Sequence, residues 1–269
     1  MPEGDTVYRA ANKLRDALAG RVLTGCDIRV PRYATVDFTG RTVDSVDSRG
    51  KHLLIRVGGY TIHSHLKMEG TWQVYAPGER WRKPAFQARA ILTNGSASAV
   101  GFELGVLDVV EDEDEVVGYL GPDLLGSDWD AALAIANLGT DPTRPIGTAL
   151  LDQRILAGLG NVYRNEICFL RGIDPRTPVG SAGDLRKIVD LSFRTIMANK
   201  DRHQRVTTGD RRPGRHFWVY GRQKKPCRRC GTPIEFGLLG DNPLEERQIY
   251  FCPYCQPPPP RFSVVHDSP

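Results

Sequence analysis

The sequence predicts a multidomain α+β protein in which a β-rich part precedes a helical part. Eight short β-rich segments, separated by turn residues, lie between residues 22 and 109, and helical patterns begin after Pro122. Four cysteines near the C-terminal end form two Cys-x-x-Cys pairs. A chain of 269 residues suits about two domains. Its 40% hydrophobic and 25% charged residues are typical of a soluble globular protein.

Residues 5–19 have the pattern of an amphipathic helix. Val7, Leu14 and Leu18 lie at helical spacing among charged residues, and Gly20 ends the pattern. The β-rich segments that follow are short and frequently interrupted, which is typical of an antiparallel sandwich or barrel. These segments are 22–30, 42–49, 52–57, 60–63, 71–74, 85–92, 98–102 and 106–109.

The second half of the chain combines helical patterns with a basic stretch. Helices are predicted at 130–138, 145–156, 161–171 and 182–199. Residues 201–226 are polar and contain glycine, so we expect a loop or linker there. Eleven lysines and arginines but only two acidic residues occur between Lys200 and Arg229. Such a stretch with aromatic residues in it suits a polyanion such as nucleic acid, or it is an ordinary solvated surface.

The four cysteines of the C-terminal part are spaced for a metal site. Cys227 and Cys230 form one knuckle, Cys252 and Cys255 form the other, and 21 residues separate them. This separation lies just beyond the usual zinc-ribbon window, and a hairpin can bring two such corners together for tetrahedral thiolate coordination. Two disulfides are the alternative, but we find no secretory signal that would favour them. We expect one structural Zn²⁺ ion and no organic cofactor.

The first residues carry a chemical signal if Met1 is removed. Pro2 would then hold the free amino terminus, and an α-amine titrates near ~7.7–8.0, well below a lysine. Part of the population is therefore neutral at cellular pH and can attack a sugar aldehyde carbon to form an iminium. The neighbouring Glu3 is placed to move protons. The alternative is a frayed terminus without chemistry.

Three loops contain further candidate residues. Asn161 follows a glycine at a predicted helix start, where it contributes to a phosphate-binding site or simply caps the helix. Lys51 lies at the tip of a turn between two strands, a position where a lysine is usually just solvated. Met68 lies between Lys67 and Glu69, as if displayed on a loop, and a core methionine is the alternative.

Several motifs occur in a fixed order and together resemble one family. They are Pro-Glu-Gly at 2–4, Ser-Arg-Gly-Lys-His at 48–52, His-Leu-Lys-Met at 65–68, Gly-Leu-Gly-Asn-Val-Tyr at 158–163 and the four-cysteine finger after 220–222. Over residues 2–256 the chain resembles the formamidopyrimidine-DNA glycosylase/endonuclease VIII family of base-excision repair enzymes. The resemblance implies an N-terminal β-sandwich with an N-terminal helix, a helix–two-turn–helix domain and a zinc finger. The expected boundaries are 1–120, 121–220 and 221–256, followed by a Pro-rich flexible tail at 257–269.

The resemblance also implies roles for residues at matching positions. Pro2 matches the Schiff-base nucleophile and Glu3 the acid/base group. Lys51 matches a catalytic lysine that contacts phosphate and assists β-elimination. Arg247 matches the zinc-finger arginine that binds phosphates and supports δ-elimination. Asn161 matches a phosphate-binding asparagine. The loop position that fills the gap left by an extruded base is Met68, flanked by Lys67.

Two departures from the family pattern affect the expected substrate. Thr6 replaces the second glutamate of the commoner opening, so any role of that glutamate must be met otherwise. Residues 101–108 lack the arginine and the following aromatic residue that the purine-lesion branch carries in its wedge loop. The resemblance is therefore to the endonuclease VIII-like branch, which acts on oxidised pyrimidines.

We therefore predict a bifunctional DNA glycosylase/AP lyase that uses an N-terminal proline Schiff base and cleaves by β/δ-elimination. The expected partner is damaged DNA, as duplex, single strand or bubble, and we expect a monomer. No apolar run approaches the ~20 residues of a membrane span, so a location in the bacterial cytoplasm or nucleoid is predicted. A non-catalytic, zinc-containing protein that binds damaged DNA is the alternative.

Overall fold

A computed structural model describes residues 2–258, which form two compact units. The first unit takes the described residues of 1–130, 153–160 and 193–203, and the second takes those of 131–152, 161–192 and 204–269. Most of the tail predicted at 257–269 lies outside the described residues. The domain boundaries expected at residues 120 and 220 stay predictions.

The first unit begins with a helix that the spacing of apolar residues predicted. Helix α1 (Gly4–Leu18) buries Val7, Leu14 and Leu18. A short helix, α2 (Asp114–Val117), follows the strands. The eight strands are β1 (Gly25–Ile28), β2 (Val43–Arg49), β3 (His52–Val57), β4 (Tyr60–His65), β5 (Thr71–Tyr75), β6 (Ala88–Thr93), β7 (Ser98–Phe102) and β8 (Val106–Val110). All eight predicted segments are therefore confirmed as strands, with ends that differ by at most three residues.

The strands form two separate antiparallel sheets, so the fold is a sandwich and not a closed barrel. One sheet has the order β1-β6-β7-β5 and the other the order β2-β3-β4-β8. Helix α1 and both sheets share one buried apolar core, which includes Leu14, Ile55, Ile62 and Leu92. Alternation of side chains along β3 sends Leu54 to the opposite face, where it packs in a small cluster with Leu120.

The second unit is helical and ends in a hairpin. Its helices are α3 (Ala131–Gly139), α4 (Ile146–Ala149), α5 (Asn161–Arg171) and α6 (Leu185–Met197). The last residues of α6, from Phe193 onward, belong to the first unit. The hairpin strands are β9 (Glu235–Leu239) and β10 (Arg247–Phe251). The prediction of a helix over 145–156 is wrong beyond α4. The Gln153 side chain instead bonds to the backbone of Gly158 and Leu159 at 3.0 Å, which holds residues 153–159 as a loop. Within residues 2–258, none of the helices is long and apolar enough to cross a membrane.

The basic stretch is a loop, as predicted, and a buried acid organises it. The Glu166 carboxylate accepts hydrogen bonds from the backbone N–H groups of Trp218, Val219 and Tyr220 at 2.8–2.9 Å. Arg222 is 9% exposed and donates to backbone carbonyls of the same loop. Part of the positive charge therefore stabilises the loop itself.

One end of the β2-β3-β4-β8 sheet carries a cluster of histidines on its outer face. The strand register pairs His52 with His65 and His63 with Asp108, which places the four side chains on the same side. His52 Nδ1 lies 2.8 Å from His63 Nε2, and His52 Nε2 lies 3.1 Å from the Tyr119 hydroxyl. His63 Nδ1 lies 3.4 Å from the Asp108 carboxylate. We call His52, His63, His65, Asp108 and Tyr119 the histidine cluster.

Burial keeps these histidines neutral. Loss of hydration, reinforced by the neighbouring histidines and lysines, lowers the pKa of His52 to about 3. Burial and the nearby lysines lower the pKa of His65 to about 4. Burial also lowers the pKa of His63, although Asp108 opposes this effect. In an unfolded chain, by contrast, a histidine titrates near ~6.5.

We expect the free energy of unfolding to fall as the pH is lowered from about 7 to about 5. In this window the unfolded chain gains protons at these histidines and the folded chain does not, which favours unfolding by at most about 1.4 kcal/mol per pH unit for each histidine. Urea unfolding at several pH values measures the slope. A His52→Gln variant should have a shallower slope, and an unchanged slope would contradict a depressed pKa at His52.

Candidate active site

The N-terminal segment is bonded into the first unit and is not frayed. Glu3 is fully buried, and its Oε2 accepts a hydrogen bond from the Gly160 N–H at 2.9 Å. The Gly4 N–H donates to the Gly158 carbonyl, also at 2.9 Å. The Glu3 carbonyl in turn accepts from backbone N–H groups in the first turn of α1. These contacts hold the half-buried Pro2 at the start of the helix.

Glycine is required on both sides of this contact. A Cβ atom at Gly160 would lie 2.5 Å from Cδ of Glu3, and a Cβ atom at Gly4 would lie 2.9 Å from Cα of Gly158. Real Cβ atoms essentially never show contacts this short, so the Glu3 side chain or the Gly158 backbone would have to shift. The Pro-Glu-Gly and Gly-Leu-Gly motifs are therefore two halves of one packed junction.

The Lys51 turn packs on the same loop. Gly50 has a φ of +57°, and its N–H donates to the Asp123 carboxylate at 2.9 Å. A Cβ atom at Gly50 would lie 3.0 Å from Cβ of Ala157 and 3.5 Å from N of Gly158. The structure thus packs Gly50, which precedes Lys51 in the β2–β3 turn, against the loop that also holds Glu3.

Sequence reasoning missed the residue that fixes this turn. Asp123 is 2% exposed, and burial raises its pKa while the N–H groups of Gly50 and Leu125 oppose the shift. The sequence contained a signal for Asp123, because an acidic residue directly after Gly121-Pro122 can bond to backbone in a turn. The Gly-Pro pair, however, indicated only a domain boundary. The contact with Gly50 depends on the tertiary fold.

Met68 is displayed at the surface, as predicted. It is 59% exposed in a tight turn closed by the hydrogen bond from the Gly70 N–H to the Leu66 carbonyl at 2.9 Å. Lys67 has a φ of +52°, and its N–H donates to Nδ1 of His65 at 2.9 Å. The alternative of a core methionine is wrong.

The neighbouring β7–β8 connection is only three residues long. It consists of residues 103–105 and leaves no room for a long wedge loop. A Cβ atom at Gly105 would lie 2.3 Å from Cγ of Lys67, so the glycine allows the Lys67 stem to pack there. Lys67 and this connection therefore share one surface.

In the second unit, Asn161 and Arg247 lie at a common junction. Asn161 is 5% exposed and begins α5 itself instead of preceding it as a cap. Its amide Nδ2 donates to the Gln248 carbonyl at 3.0 Å, and the buried Arg164 donates to its Oδ1. Arg247 precedes Gln248 at the start of β10 and is exposed. The structure thus brings Asn161 to the strand that begins with Arg247.

The four cysteines form a cluster that could bind a metal ion. All four Sγ atoms lie within 4.8 Å of one another, with 3.9 Å between Cys227 and Cys255 and 3.4 Å between Cys230 and Cys252. A tetrahedral ion with bonds of ~2.3 Å to sulfur has sulfur–sulfur edges of about 3.8 Å, so the donor set fits. The four cysteines are free, which contradicts the alternative of two disulfides.

Comparisons with known proteins agree with this arrangement. The sequence matches the family models "Formamidopyrimidine-DNA glycosylase N-terminal domain" over residues 1–102 and "Formamidopyrimidine-DNA glycosylase H2TH domain" over residues 120–188. It is 55% identical over 265 residues to "Probable endonuclease 8 2" of Streptomyces coelicolor, covering 96% of this chain and 95% of the relative. It is 51% identical over 258 residues to "DNA-(apurinic or apyrimidinic site) lyase Nei2" of Mycolicibacterium smegmatis, covering 95% and 99%.

A solved structure shares the fold. "Structure of MutM in complex with carbocyclic 8-oxo-G containing DNA" superposes with a TM-score of 0.75 at 23% identity and covers 96% of this chain and 100% of that one. The expected N-terminal helix, β-sandwich and helix–two-turn–helix part, with the four-cysteine cluster, are therefore confirmed. On the sequence matches, the chain belongs to the formamidopyrimidine-DNA glycosylase/endonuclease 8 family.

Proposed function

We propose that this protein is a bifunctional DNA glycosylase and AP lyase of base-excision repair that removes oxidised bases and then cleaves the strand. The observation that carries the proposal is the junction at residues 157–160, which contacts both the Glu3 segment and the Lys51 turn. The amino-terminal proline, a buried carboxylate and a lysine thus occupy one region of the first unit. The names of the relatives, an endonuclease 8 and an AP lyase, agree with this function.

Each of the three groups has a distinct part in the proposed reaction. The secondary amine of Pro2 attacks C1′ of the sugar, and the iminium that forms replaces the bond to the damaged base. Glu3 exchanges protons with the sugar or the departing base, from a carboxylate whose position Gly160 fixes. Lys51 contacts the phosphate and assists β-elimination.

DNA binding is assigned to residues of both units. A damaged base must leave the helical stack before the enzyme can reach it, and the exposed Met68 beside Lys67 fills the gap. Asn161 and Arg247 bind backbone phosphates, which positions the strand without reading its sequence. Arg247 also supports δ-elimination. The phosphate role of Asn161 requires its amide, now bonded to Gln248, to exchange that contact or share it.

Oxidised pyrimidines are the favoured substrates. The three-residue β7–β8 connection supports this assignment, because the additional wedge residues of the purine-lesion branch would require a longer loop. Single-turnover assays with single-lesion oligonucleotides, duplex and single-stranded, measure the preference. A faster release of 8-oxoguanine opposite cytosine than of any oxidised pyrimidine would contradict it.

We expect Pro2→Gly to lose most borohydride trapping on abasic DNA and most lyase activity while DNA binding persists. The substitution alters the nucleophile without removing any phosphate contact. Trapping gels and a binding titration on the same abasic duplex measure both properties. Unchanged trapping would remove Pro2 from the mechanism, and so would fully active protein whose intact mass still includes Met1.

Borohydride trapping also distinguishes the proposed enzyme from the alternative, a non-catalytic protein. A non-catalytic protein that binds damaged DNA would bind the abasic duplex but would give no covalent adduct when borohydride is added. The presence of both Pro2 and Glu3, with Glu3 buried and bonded, favours the enzyme.

We further propose that the cysteine cluster holds one Zn²⁺ ion. Four thiolates without a carboxylate or water ligand form a closed structural site, and zinc is a preferred metal for such a set. The hairpin β9–β10, which begins and ends beside these ligands, carries Arg247. Zinc would therefore act on DNA binding through this hairpin and not on the chemistry directly.

We expect Cys230→Ser to lose zinc and activity together. Metal analysis of the purified protein measures the first, and trapping on abasic DNA measures the second. Thr232→Ala, which changes a neighbouring side chain outside the ligand set, is the matched control and should retain one ion. Full activity in metal-free Cys230→Ser would show that the metal site is dispensable.

The proposed substrate also sets the expected location and assembly. A repair enzyme of chromosomal DNA is expected in the bacterial cytoplasm at the nucleoid. We propose that it acts as a monomer.

A further inference from the structure

The histidine cluster lies between the two loops that carry proposed site residues of the first unit. His52 follows Lys51 directly in the chain, at the start of β3. His65 ends β4, and its Nδ1 accepts the N–H of Lys67 at 2.9 Å. The His52 ring lies edge-on to the His65 ring, with 5.1 Å between centroids. The Lys51 turn and the Lys67–Met68 loop are thus connected through two imidazoles.

We propose that His52, His63 and Tyr119 are positioning residues of the reaction, whose hydrogen-bonded chain orients the His52 ring against His65 and so fixes the Lys51 turn relative to the Lys67–Met68 loop. This inference rests on the proposed function, because it assigns Lys51 and Met68 to the same DNA. It adds residues that do not themselves contact the reacting atoms.

The contacts, followed from Asp108 to Tyr119, assign a donor or acceptor role to each ring nitrogen of His63 and His52. We assign the His63 proton to Nδ1, because that atom faces the Asp108 carboxylate at 3.4 Å, although the approach is not a well-aligned hydrogen bond. His63 Nε2 must then accept, so the proton of the 2.8 Å contact belongs to Nδ1 of His52. His52 Nε2 is left to accept from the Tyr119 hydroxyl at 3.1 Å. Each neutral imidazole thus has one assigned tautomer.

The rings are held by packing as well as by these bonds. His52 stacks on His63 with 5.0 Å between centroids and an interplanar angle of 20°. Tyr119 meets His52 edge-on at 6.1 Å. His52 and His63 are 8% and 3% exposed, so water has little access to compete for their nitrogens. A change at any member therefore alters the orientation of the others.

Because the histidines of the cluster are neutral, they do not repel the neighbouring Lys51 and Lys67. Lys51 and Lys67 are close enough to oppose protonation of His52 and His65. A proton on one of these histidines would place a positive charge beside both lysines. That charge would also lie in a buried site, where it loses hydration. Neutral imidazoles can orient these loops without adding to that repulsion.

Tyr119 is the accessible end of the chain. Its side chain is 53% exposed although its hydroxyl contacts the buried His52. Tyr119→Phe removes this one hydroxyl and keeps the ring. Tyr60→Phe is a matched control, because Tyr60 is 40% exposed on β4 of the same sheet, at the end away from the cluster.

The kinetic experiment compares His52→Ala, His52→Asn, Tyr119→Phe and Tyr60→Phe in single-turnover cleavage of abasic duplex at saturating protein. We expect a loss of about tenfold in the cleavage rate for His52→Ala and about threefold for Tyr119→Phe, the size of one hydrogen bond's contribution. His52→Asn places an amide donor near the former Nδ1 position and should recover part of the rate. The dissociation constant for DNA should change less than twofold throughout.

A spectroscopic measurement tests the chain independently of activity. Long-range ¹H–¹⁵N spectra of histidine-labelled protein should show His52 and His63 as neutral Nδ1–H tautomers at pH 7, with Tyr119→Phe shifting the His52 Nε2 resonance. An Nε2–H tautomer at either histidine would overturn the assignment.

The outcomes separate this inference from the proposed function. Wild-type protein that neither cleaves nor traps abasic DNA would refute the function. Active wild-type protein with unchanged rates in Tyr119→Phe and His52→Ala would refute the positioning role alone. If His52→Ala fails to fold, the ratio of Tyr119→Phe to Tyr60→Phe decides, and equal rates for these two would refute the inference.

Discussion

The contact on which the proposed chemistry depends is the hydrogen bond from the Gly160 N–H to the Glu3 carboxylate. It satisfies a fully buried acid, and burying an unpaired carboxylate would cost several kcal/mol. It also fixes the first residues of the chain, which without such a partner would be mobile. Because Gly158 contacts Gly4 and lies beside Gly50, the same loop sets the position of the Pro2–Gly4 segment and of the Lys51 turn.

Buried polar groups fix the other loops in the same way. Asp123 holds the Lys51 turn, and Glu166 gathers three successive backbone N–H groups of the basic stretch. Arg164 joins Asn161 to the carbonyl of Gln248. Asp123 and Glu166 accept hydrogen bonds from backbone N–H groups of loops, so these buried acids fix the loops where they meet the scaffold.

The histidine cluster shows a different use of burial. Three imidazoles beside two lysines would repel those lysines if they were protonated, and burial keeps them neutral. The structure thereby places hydrogen-bonding groups in a cationic region without adding charge. The three histidines lie on β3 and β4, and Met68 follows the end of β4 by three residues, which accounts for their proximity.

The sequence by itself determined the local features of this protein. Short β-rich segments between turn residues located all eight strands, helical spacing located α1 and α5, and the cysteine spacing identified the cluster that could bind a metal ion, because each pattern reports on residues close in the chain. The segment pattern left sandwich and barrel open, and the tertiary structure shows the sandwich that the family resemblance implied. The tertiary structure alone paired Glu3 with Gly160 and Asp123 with Gly50. It also assembled His52, His63 and Asp108 through strand register. These contacts join residues 11 to 157 positions apart, and no local periodicity encodes a partner at such a distance.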